Sequence, residues 1–213
     1  TIKQTDGTER EIFVDEILIS SGSTPTVPSI NGLADTPYWT STDALFAKTL
    51  PAHLIVIGSS VIALEIAQAY RRLGSEVTIL ARHTLLYKEE PLLGEKLTEC
   101  LIKEGIRVLN STQATQISYN NNVFTLDTSV GILTCDQLLV STGRHANTHE
   151  LNLDVVGINT TNNGEIIVNN RMETNISGIY AAGDCSNMPQ FVYVAAAAGS
   201  RAGVNMTGGN ATL

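Results

Sequence analysis

One short segment constrains the fold of this sequence more than any other. Residues 54–57 are four consecutive apolar residues, Gly58 follows them, and apolar side chains then recur at helical spacing over residues 61–73. The apolar run predicts a parallel strand buried on both faces, and the glycine permits a tight turn into the helix. Gly74 predicts the end of that helix. The segment therefore predicts a strand-turn-helix, the unit of α/β domains.

Strands and helices continue to alternate along the chain. Further strands are predicted over residues 76–80, 106–109, 115–119, 123–128 and 137–141, and a further helix over 94–104. Right-handed crossovers between such elements produce a doubly wound sheet. The predicted fold class is therefore α/β, with a doubly wound, Rossmann-like domain.

The segments on either side of this unit have weaker patterns. Residues 2–19 predict a hairpin with its turn at Asp6 and Gly7 and a second strand that becomes buried. A short helix is predicted to start at Thr42 or Asp43. The segment after Gly143 predicts a hairpin, a strand and an alanine-rich helix, at residues 162–164, 178–182 and 192–207.

The composition indicates a folded globular chain. Of its 213 residues 43% are hydrophobic and 16% are charged, which allows one large domain or two small ones. The net charge of −8 gives no broad attraction to nucleic acid or anionic lipid, so an anionic ligand would need a local site. No apolar run reaches the roughly 18 residues of a membrane span, and we expect a cytoplasmic protein.

Residues 58–63, Gly-Ser-Ser-Val-Ile-Ala, form a degenerate version of the GxGxxG/A dinucleotide motif in its expected context, between a strand and a helix. Gly58 permits the turn, Ser60 is small enough for a pyrophosphate to approach, and Ala63 allows close packing of helix and strand. The N–H groups at the start of the helix would face the phosphates. The alternative is an ordinary strand-turn-helix.

The end of the second strand bears on which nicotinamide cofactor is bound. NAD sites place a carboxylate there for the ribose 2′-hydroxyl, whereas a 2′-phosphate requires cations. Here Arg82 offers a fork suited to phosphate, and Lys88 offers a second positive charge. This pattern favours NADP(H). The alternative is that both are solvated loop cations, and Lys88 is next to Glu89 and Glu90.

Two later motifs resemble those of the class I pyridine nucleotide-disulfide oxidoreductases, flavoenzymes that include glutathione reductase and dihydrolipoyl dehydrogenase. Residues 175–184, ending in Ala-Ala-Gly-Asp, resemble the second flavin motif of that family. Residues 138–147 resemble its Ala-Thr-Gly-Arg-x-x-Asn motif. The resemblance covers essentially the whole chain and implies FAD and NADPH as cofactors. It implies an NADPH-binding domain over 51–143, inserted between FAD-domain pieces over 1–50 and 144–213.

The resemblance also implies roles for individual residues. Asp184 would accept a hydrogen bond from the ribityl chain of the flavin, and Glu65 would contact the nicotinamide end of NADPH. The residues implied for FAD are Gly22, Arg144, Gly183, Asp184, Gln190 and Val192. For NADPH the resemblance adds Ser59, Ile62, Glu65 and Gly143 to the residues already predicted, which are Gly58, Ser60, Arg82 and Lys88.

Within the family, residues 36–45, 56–68, 78–82 and 189–199 are most similar to the members that reduce Hg(II) to Hg(0). The implied reaction passes a hydride from NADPH through FAD to a Cys-x4-Cys pair, whose soft thiolates suit Hg(II). The 213 residues of this sequence contain no Cys-x4-Cys pair. We therefore expect a central fragment, inactive alone, of a homodimeric enzyme that takes Hg(II) as a thiolate complex.

Two other functions remain open. The chain could belong to a disulfide reductase of the dihydrolipoamide dehydrogenase or glutathione reductase type, or it could act only as a nucleotide-binding module. The three cysteines, Cys100, Cys135 and Cys185, fit neither a CxxC pair nor a disulfide framework. For Cys185 a buried core thiol is favoured over an Hg(II) ligand. We expect no resident metal site, no nucleic-acid partner and no membrane partner.

Overall fold

The computed structural model describes residues 1–213, which form 13 strands and four α-helices. The helices are α1 (Ser41–Leu45), α2 (Val61–Leu73), α3 (Pro91–Lys103) and α4 (Val192–Met206). The strands are β1 (Ile2–Lys3), β2 (Glu9–Arg10), β3 (Ile17–Ile19), β4 (Ser23–Pro25), β5 (His53–Ile57), β6 (Glu76–Leu80), β7 (Arg107–Leu109), β8 (Ala114–Asn120), β9 (Val123–Thr128), β10 (Gly131–Cys135), β11 (Gln137–Val140), β12 (Arg144–Ala146) and β13 (Ile179–Ala181). None of the helices combines the length and the apolar character that a membrane span requires.

The chain folds into two compact units. The central unit is Pro25–Arg144, and the outer unit combines Thr1–Thr24 with His145–Leu213. Residues 25–50, which were predicted to belong to the first FAD-domain piece, therefore cluster with the central unit. The physical reason is burial, because Leu33 and Ala44 are 1% and 5% exposed within its cores. Which cofactor each part binds stays a prediction.

The central unit is built on a four-stranded parallel sheet in the order β11-β5-β6-β7. Helix α2 connects β5 to β6, and α3 connects β6 to β7. The α/β, Rossmann-like fold class is thereby confirmed. The predicted bounds of α2, β6 and β9 agree with the structure, and those of β5, β7 and β11 agree to within one residue.

Side chains along β5 alternate between two hydrophobic cores, one on each face of the sheet. Leu54 and Val56 pack in the core that contains the buried faces of α2 and α3. Ile55 and Ile57 pack in the core that contains residues of the antiparallel sheet β10-β9-β8. Both faces of β5 are therefore covered, by helices on one side and by a second sheet on the other, which explains its continuous apolar run.

Three elements of the central unit differ from the sequence prediction. Helix α3 begins at Pro91, at its first position, and not at residue 94. Helix α1 begins at Ser41 because Thr40 and Asp43 form a capping box, with the Asp43 carboxylate accepting from the Thr40 N–H at 2.8 Å. Strand β10 was not predicted.

In the outer unit β13 pairs with β3 in parallel, and helix α4 buries Ala198 and Ala202 in the same core as Ala181. The predicted hairpin turns at Asp6 and Gly7, but its second strand is β2. The prediction that the following apolar run is its buried strand is wrong. That run forms β3, in a two-stranded sheet, and Ile17 remains 44% exposed.

Candidate nucleotide-binding site

A cleft of about 640 Å³ opens in the central unit where β5, β6 and β11 end. This is the edge of a parallel sheet at which α/β proteins bind their ligands. Three stretches form most of the wall: the turn after β5, the loop after β6 and the residues after β11. The lining residues are Thr26, Pro28, Ser29, Ile30, Ile57, Gly58, Ser59, Ser60, Val61, Leu80, Arg82, His83, Leu86, Tyr87, Lys88, Glu89, Thr112, Gln113, Ala114, Ser141, Thr142 and Gly143.

The turn after β5 needs glycine to form without strain. Gly58 has φ = 146°, a conformation that residues with a side chain rarely adopt. A Cβ at this position would lie 2.1 Å from the carbonyl oxygen of Ser141, which is closer than atoms can approach. The Gly58 N–H donates to the carbonyl of Leu80 at 3.0 Å. The glycine therefore allows the ends of three strands to meet at the cleft.

Helix α2 begins at this turn with Ser60 as its N-cap. Ser60 has extended backbone angles, and no side chain caps the helix. The first N–H groups of a helix have no partner within it, and together with the helix dipole they favour an anion. Because Ser60 and Val61 also line the cleft, the start of α2 fits a pyrophosphate.

The loop after β6 contributes the charge of the cleft. Arg82 and Lys88 both line it, both are exposed, and neither makes a salt bridge within the chain. The rings of His83 and Tyr87 lie 4.7 Å apart, and the Lys88 Nζ is 5.8 Å from the centre of the Tyr87 ring. Glu89 is the one carboxylate among the lining residues. The loop therefore presents two cations and an aromatic pair to a ligand.

Six of the eight residues predicted for NADPH line this cleft: Gly58, Ser59, Ser60, Arg82, Lys88 and Gly143. Ile62 instead lines a neighbouring recess of about 20 Å³, with Ser60, Gly143 and Arg144. Glu65 is exposed on α2 and lines neither cavity. The structure thus brings most of the set together, while the contacts of each residue with NADPH stay predictions.

Sequence reasoning missed several residues of the cleft. The N–H of Thr26 donates to the Gly143 carbonyl at 2.9 Å, and the Thr142 Oγ1 donates to the Thr26 carbonyl at 2.7 Å. Thr26 and Thr112 are distant in sequence from the turn at Gly58, and no local pattern indicates that they line the cleft. Tyr87, next to the predicted Lys88, could have been found from its position between two candidate cations.

The residues predicted for FAD lie mainly in the outer unit. Gly183 and Asp184 come one residue after the end of β13, and the Ser23 Oγ donates to the Asp184 Oδ2 at 2.8 Å. The Gly22 carbonyl accepts a hydrogen bond from the N–H of Asn147 at 2.9 Å. Two further predicted residues, Gln190 and Val192, are exposed around the start of α4. Arg144, in the central unit, lines the small recess.

Two of the three cysteines are buried. Burial raises the pKa of the Cys135 thiol to about 12, so the reactive thiolate is scarce at neutral pH. The Cys185 Sγ lies 3.4 Å from the carbonyl oxygens of Ile19 and Ala182 and is fully buried. Cys100 is exposed on α3. No group of three or more His, Cys, Asp or Glu side chains is arranged to hold a metal ion.

A glycine turn, an uncapped helix start and two loop cations at the edge of a parallel sheet define a dinucleotide-binding α/β protein. Comparison with known families then identifies which kind. Residues 1–199 match the pyridine nucleotide-disulphide oxidoreductase family, and the chain belongs to that family. FAD and NADPH are the cofactors of these enzymes, as the sequence resemblance implied.

The chain is similar throughout to curated mercuric reductases. It is 72% identical over 212 residues to that of Shewanella putrefaciens and 54% identical over 216 residues to that of Shigella flexneri, with 100% of this chain covered. In both comparisons it spans 38% of the relative's length. Among solved structures, LpdA from Mycobacterium tuberculosis has a TM-score of 0.85 at 28% identity, covering 98% of this chain and 46% of its own. The HOCl-induced flavoprotein disulfide reductase RclA from Escherichia coli has a TM-score of 0.82 at 28% identity, and the match covers 93% of this chain and 46% of RclA.

Proposed function

We propose that this chain is the NADPH-binding part, with flanking FAD-binding segments, of a flavoenzyme that reduces Hg(II) to Hg(0). The observation that carries the proposal is 72% identity across the whole chain to a mercuric reductase. The cleft of the central unit supports the part of the proposal that concerns NADPH binding. A homodimeric parent protein and a cytoplasmic location stay predictions.

The cleft divides the recognition of NADPH between two of its walls. The turn at Gly58 and the N–H groups that start α2 would hold the pyrophosphate, since they offer donors and a favourable dipole. Arg82 and Lys88 would hold the 2′-phosphate through charge-assisted hydrogen bonds. NADPH bound here would supply a hydride for transfer to the flavin.

The outer unit would orient the ribityl chain of the flavin through Asp184. The Ser23 hydroxyl donates to this carboxylate and so restrains it at the end of β13. An ionised carboxylate has about four acceptor positions, so a ribityl hydroxyl can donate to Asp184 as well. The exposed start of α4, beyond Gln190, would place helix N–H groups near the flavin, where they favour negative charge.

The preference for NADPH can be tested by calorimetry with NADPH and NADH. Arg82→Ala removes a charged donor to the 2′-phosphate, and a hydrogen bond to a charged group contributes about 1.5–3 kcal/mol. The NADPH affinity should therefore fall roughly 10- to 150-fold, with the NADH affinity unchanged. Arg107→Ala, on β7 and outside the cleft, is the matched control. Equal losses for both nucleotides would contradict a 2′-phosphate role.

The Hg(II) half can be tested in a hybrid enzyme. This chain would replace the matching segment of the Shewanella putrefaciens mercuric reductase, and Hg(II)-dependent oxidation of NADPH would be measured. The control hybrid carries the corresponding segment of LpdA. We expect turnover with this chain and not with the control. A hybrid that binds both cofactors yet reduces Hg(II) no faster than the control would refute the proposal.

Disulfide reduction is the second candidate, because the solved relative RclA is described as a flavoprotein disulfide reductase. The same hybrid separates the two. Oxidised lipoamide and glutathione disulfide are offered in place of Hg(II), with NADPH oxidation as the readout. Turnover of a disulfide without turnover of Hg(II) would favour this second function.

A further inference from the structure

We propose that Leu85 and Gly94, neither of which lines the cleft, are positioning residues that set the preference for NADPH over NADH. They do so by holding the loop of residues 82–89, which contains Arg82 and Lys88, at a defined depth. This inference rests on the proposed role of the cleft in binding NADPH. It assigns selectivity to a contact behind the loop in addition to the cations on its surface.

Gly94 allows helix α3 to approach the loop closely. Glycine weakens a helix interior, so its presence in α3 calls for a packing reason. That reason is the backbone of Leu85: a Cβ on Gly94 would lie 2.2 Å from the Leu85 carbonyl oxygen and 3.3 Å from its carbonyl carbon. A backbone atom cannot swing aside as a side chain can. Any larger residue at position 94 must therefore displace the loop or the helix.

Leu85 is the one fully buried side chain of the loop, and Leu86 beside it is partly buried against the same core. Leu85 is 1% exposed and packs in the core that also contains Leu101 and Ile106. In contrast, Tyr87 and the charged residues of the loop are exposed. A solvent-exposed loop has few contacts that restrain it. The packing of Leu85, with Leu86 beside it, therefore sets the height of the loop above the sheet.

Two backbone hydrogen bonds place this loop against its surroundings. The Leu86 N–H donates to the Ser59 carbonyl at 3.0 Å, and the Ser111 N–H donates to the His83 carbonyl at 3.2 Å. Leu86 has φ = 50°, the left-handed conformation that non-glycine residues seldom adopt, so the surrounding contacts must hold it. The Leu85 anchor lies between these two bonds. Without it both bonds are expected to weaken.

The pyrophosphate and the 2′-phosphate are assigned to different walls of the cleft, so a shift of the loop should affect them differently. The turn at Gly58 is held mainly by the ends of three strands, although the Leu86–Ser59 hydrogen bond also links it to the loop. The loop cations depend on Leu85 more directly. Loosening the anchor should therefore weaken recognition of the 2′-phosphate more than recognition of the rest of the nucleotide.

The test compares Leu85→Ala with Leu101→Ala, which removes an equally buried leucine of the same core from α3. Binding of 2′,5′-ADP and of 5′-AMP, which differ by the 2′-phosphate, is measured by calorimetry. For Leu85→Ala we expect the 2′,5′-ADP affinity to fall about tenfold, the loss of one charge-assisted hydrogen bond, while 5′-AMP changes less than about twofold. Leu101→Ala should lower the melting temperature comparably and keep the wild-type ratio of affinities.

A second pair of variants decides the question if Leu85→Ala fails to fold. Gly94→Ala should lower the 2′,5′-ADP affinity selectively and speed amide hydrogen exchange at Leu86. Gly199→Ala, a helical glycine of α4 with nothing within 4 Å of its would-be Cβ, should change neither.

Each contrary result has a distinct meaning. A wild-type chain that binds 2′,5′-ADP and 5′-AMP equally would overturn the proposed NADPH preference and this inference together. A wild-type preference that survives in both Leu85→Ala and Gly94→Ala would overturn the inference alone. So would an equal loss of preference in Leu101→Ala, because general destabilisation would then explain the effect.

Discussion

Replacement of Gly58 by alanine tests the interpretation of the turn after β5. The change adds one methyl group at φ = 146°, where a Cβ would lie 2.1 Å from the Ser141 carbonyl oxygen and 3.2 Å from the Ala63 Cβ. The first contact is with backbone and cannot relax by a rotamer change. The variant must therefore separate the ends of β5 and β11 or move the start of α2.

Two costs add at this position. A non-glycine residue held in a sparsely populated backbone conformation costs about 1–3 kcal/mol. Forcing an extra methyl group into a packed site typically costs about 1–3 kcal/mol more. Gly58→Ala should therefore lower the free energy of unfolding by about 2–6 kcal/mol, a large part of the stability of a typical domain.

The matched control is Gly131→Ala in β10 of the same unit. Gly131 also has a positive φ, 109°, but nothing lies within 4 Å of its would-be Cβ. It should incur only the backbone cost. The two variants should differ by about 1–3 kcal/mol, which corresponds to roughly 4–12 °C in melting temperature for a unit of this size.

Trp39 provides the assay, because it is the only tryptophan of the chain and packs against the core of the central unit, 6.0 Å from Tyr70 between ring centres. Thermal and urea unfolding are followed by its fluorescence, with NADPH binding to each folded variant measured separately. Equal melting temperatures for Gly58→Ala and Gly131→Ala would refute the close approach to Ser141. Unchanged NADPH affinity in folded Gly58→Ala would refute the role of the turn.

Two further predictions concern buried groups. Thiol labelling of the native chain should modify Cys100 and spare Cys135 and Cys185. Labelling of Cys135 should stay slow even at mildly alkaline pH, because the pKa of its thiol is raised to about 12. Rapid labelling of all three cysteines would contradict the packing. The Tyr70 hydroxyl donates to a backbone carbonyl of α1 at 2.7 Å. Tyr70→Phe leaves that carbonyl without this partner and should lower the free energy of urea unfolding by about 1–3 kcal/mol. Tyr119→Phe, whose hydroxyl makes an exposed 3.3 Å contact, should change it by less than about 0.5 kcal/mol, and equal losses would contradict this account.

The parts of the fold that were predictable from sequence are those with a strong local period. The four apolar residues of β5 and the helical spacing of α2 are direct consequences of what covers them: two layers for the strand and one for the helix. The turn at Gly58 was predictable for the same reason, since it lies between two unambiguous elements. The candidate pyrophosphate site follows from that turn.

The parts that were not predictable depend on distant partners. Strand β10 has an exposed, mixed sequence, and only its pairing with β9 makes it a strand. The run that forms β3 is apolar enough to be read as buried, but in this chain it pairs only with β13. Thr26 reaches the cleft through its hydrogen bonds with Thr142 and Gly143, which no local pattern in residues 25–30 indicates.

The distribution of charge is compatible with the proposed binding of a polyanion by a chain whose net charge is −8. Arg72 and Arg171 make ion pairs with Glu104 and Glu173, which leaves them little capacity for a ligand. Arg82 and Lys88 make no such pair and lie on one loop at the end of β6. Attraction of a phosphate to the proposed site would therefore depend on where these two cations are held, and not on the overall charge. Since Leu85 is the fully buried residue of that loop, the proposed selectivity for the phosphate would depend on packing as much as on charge.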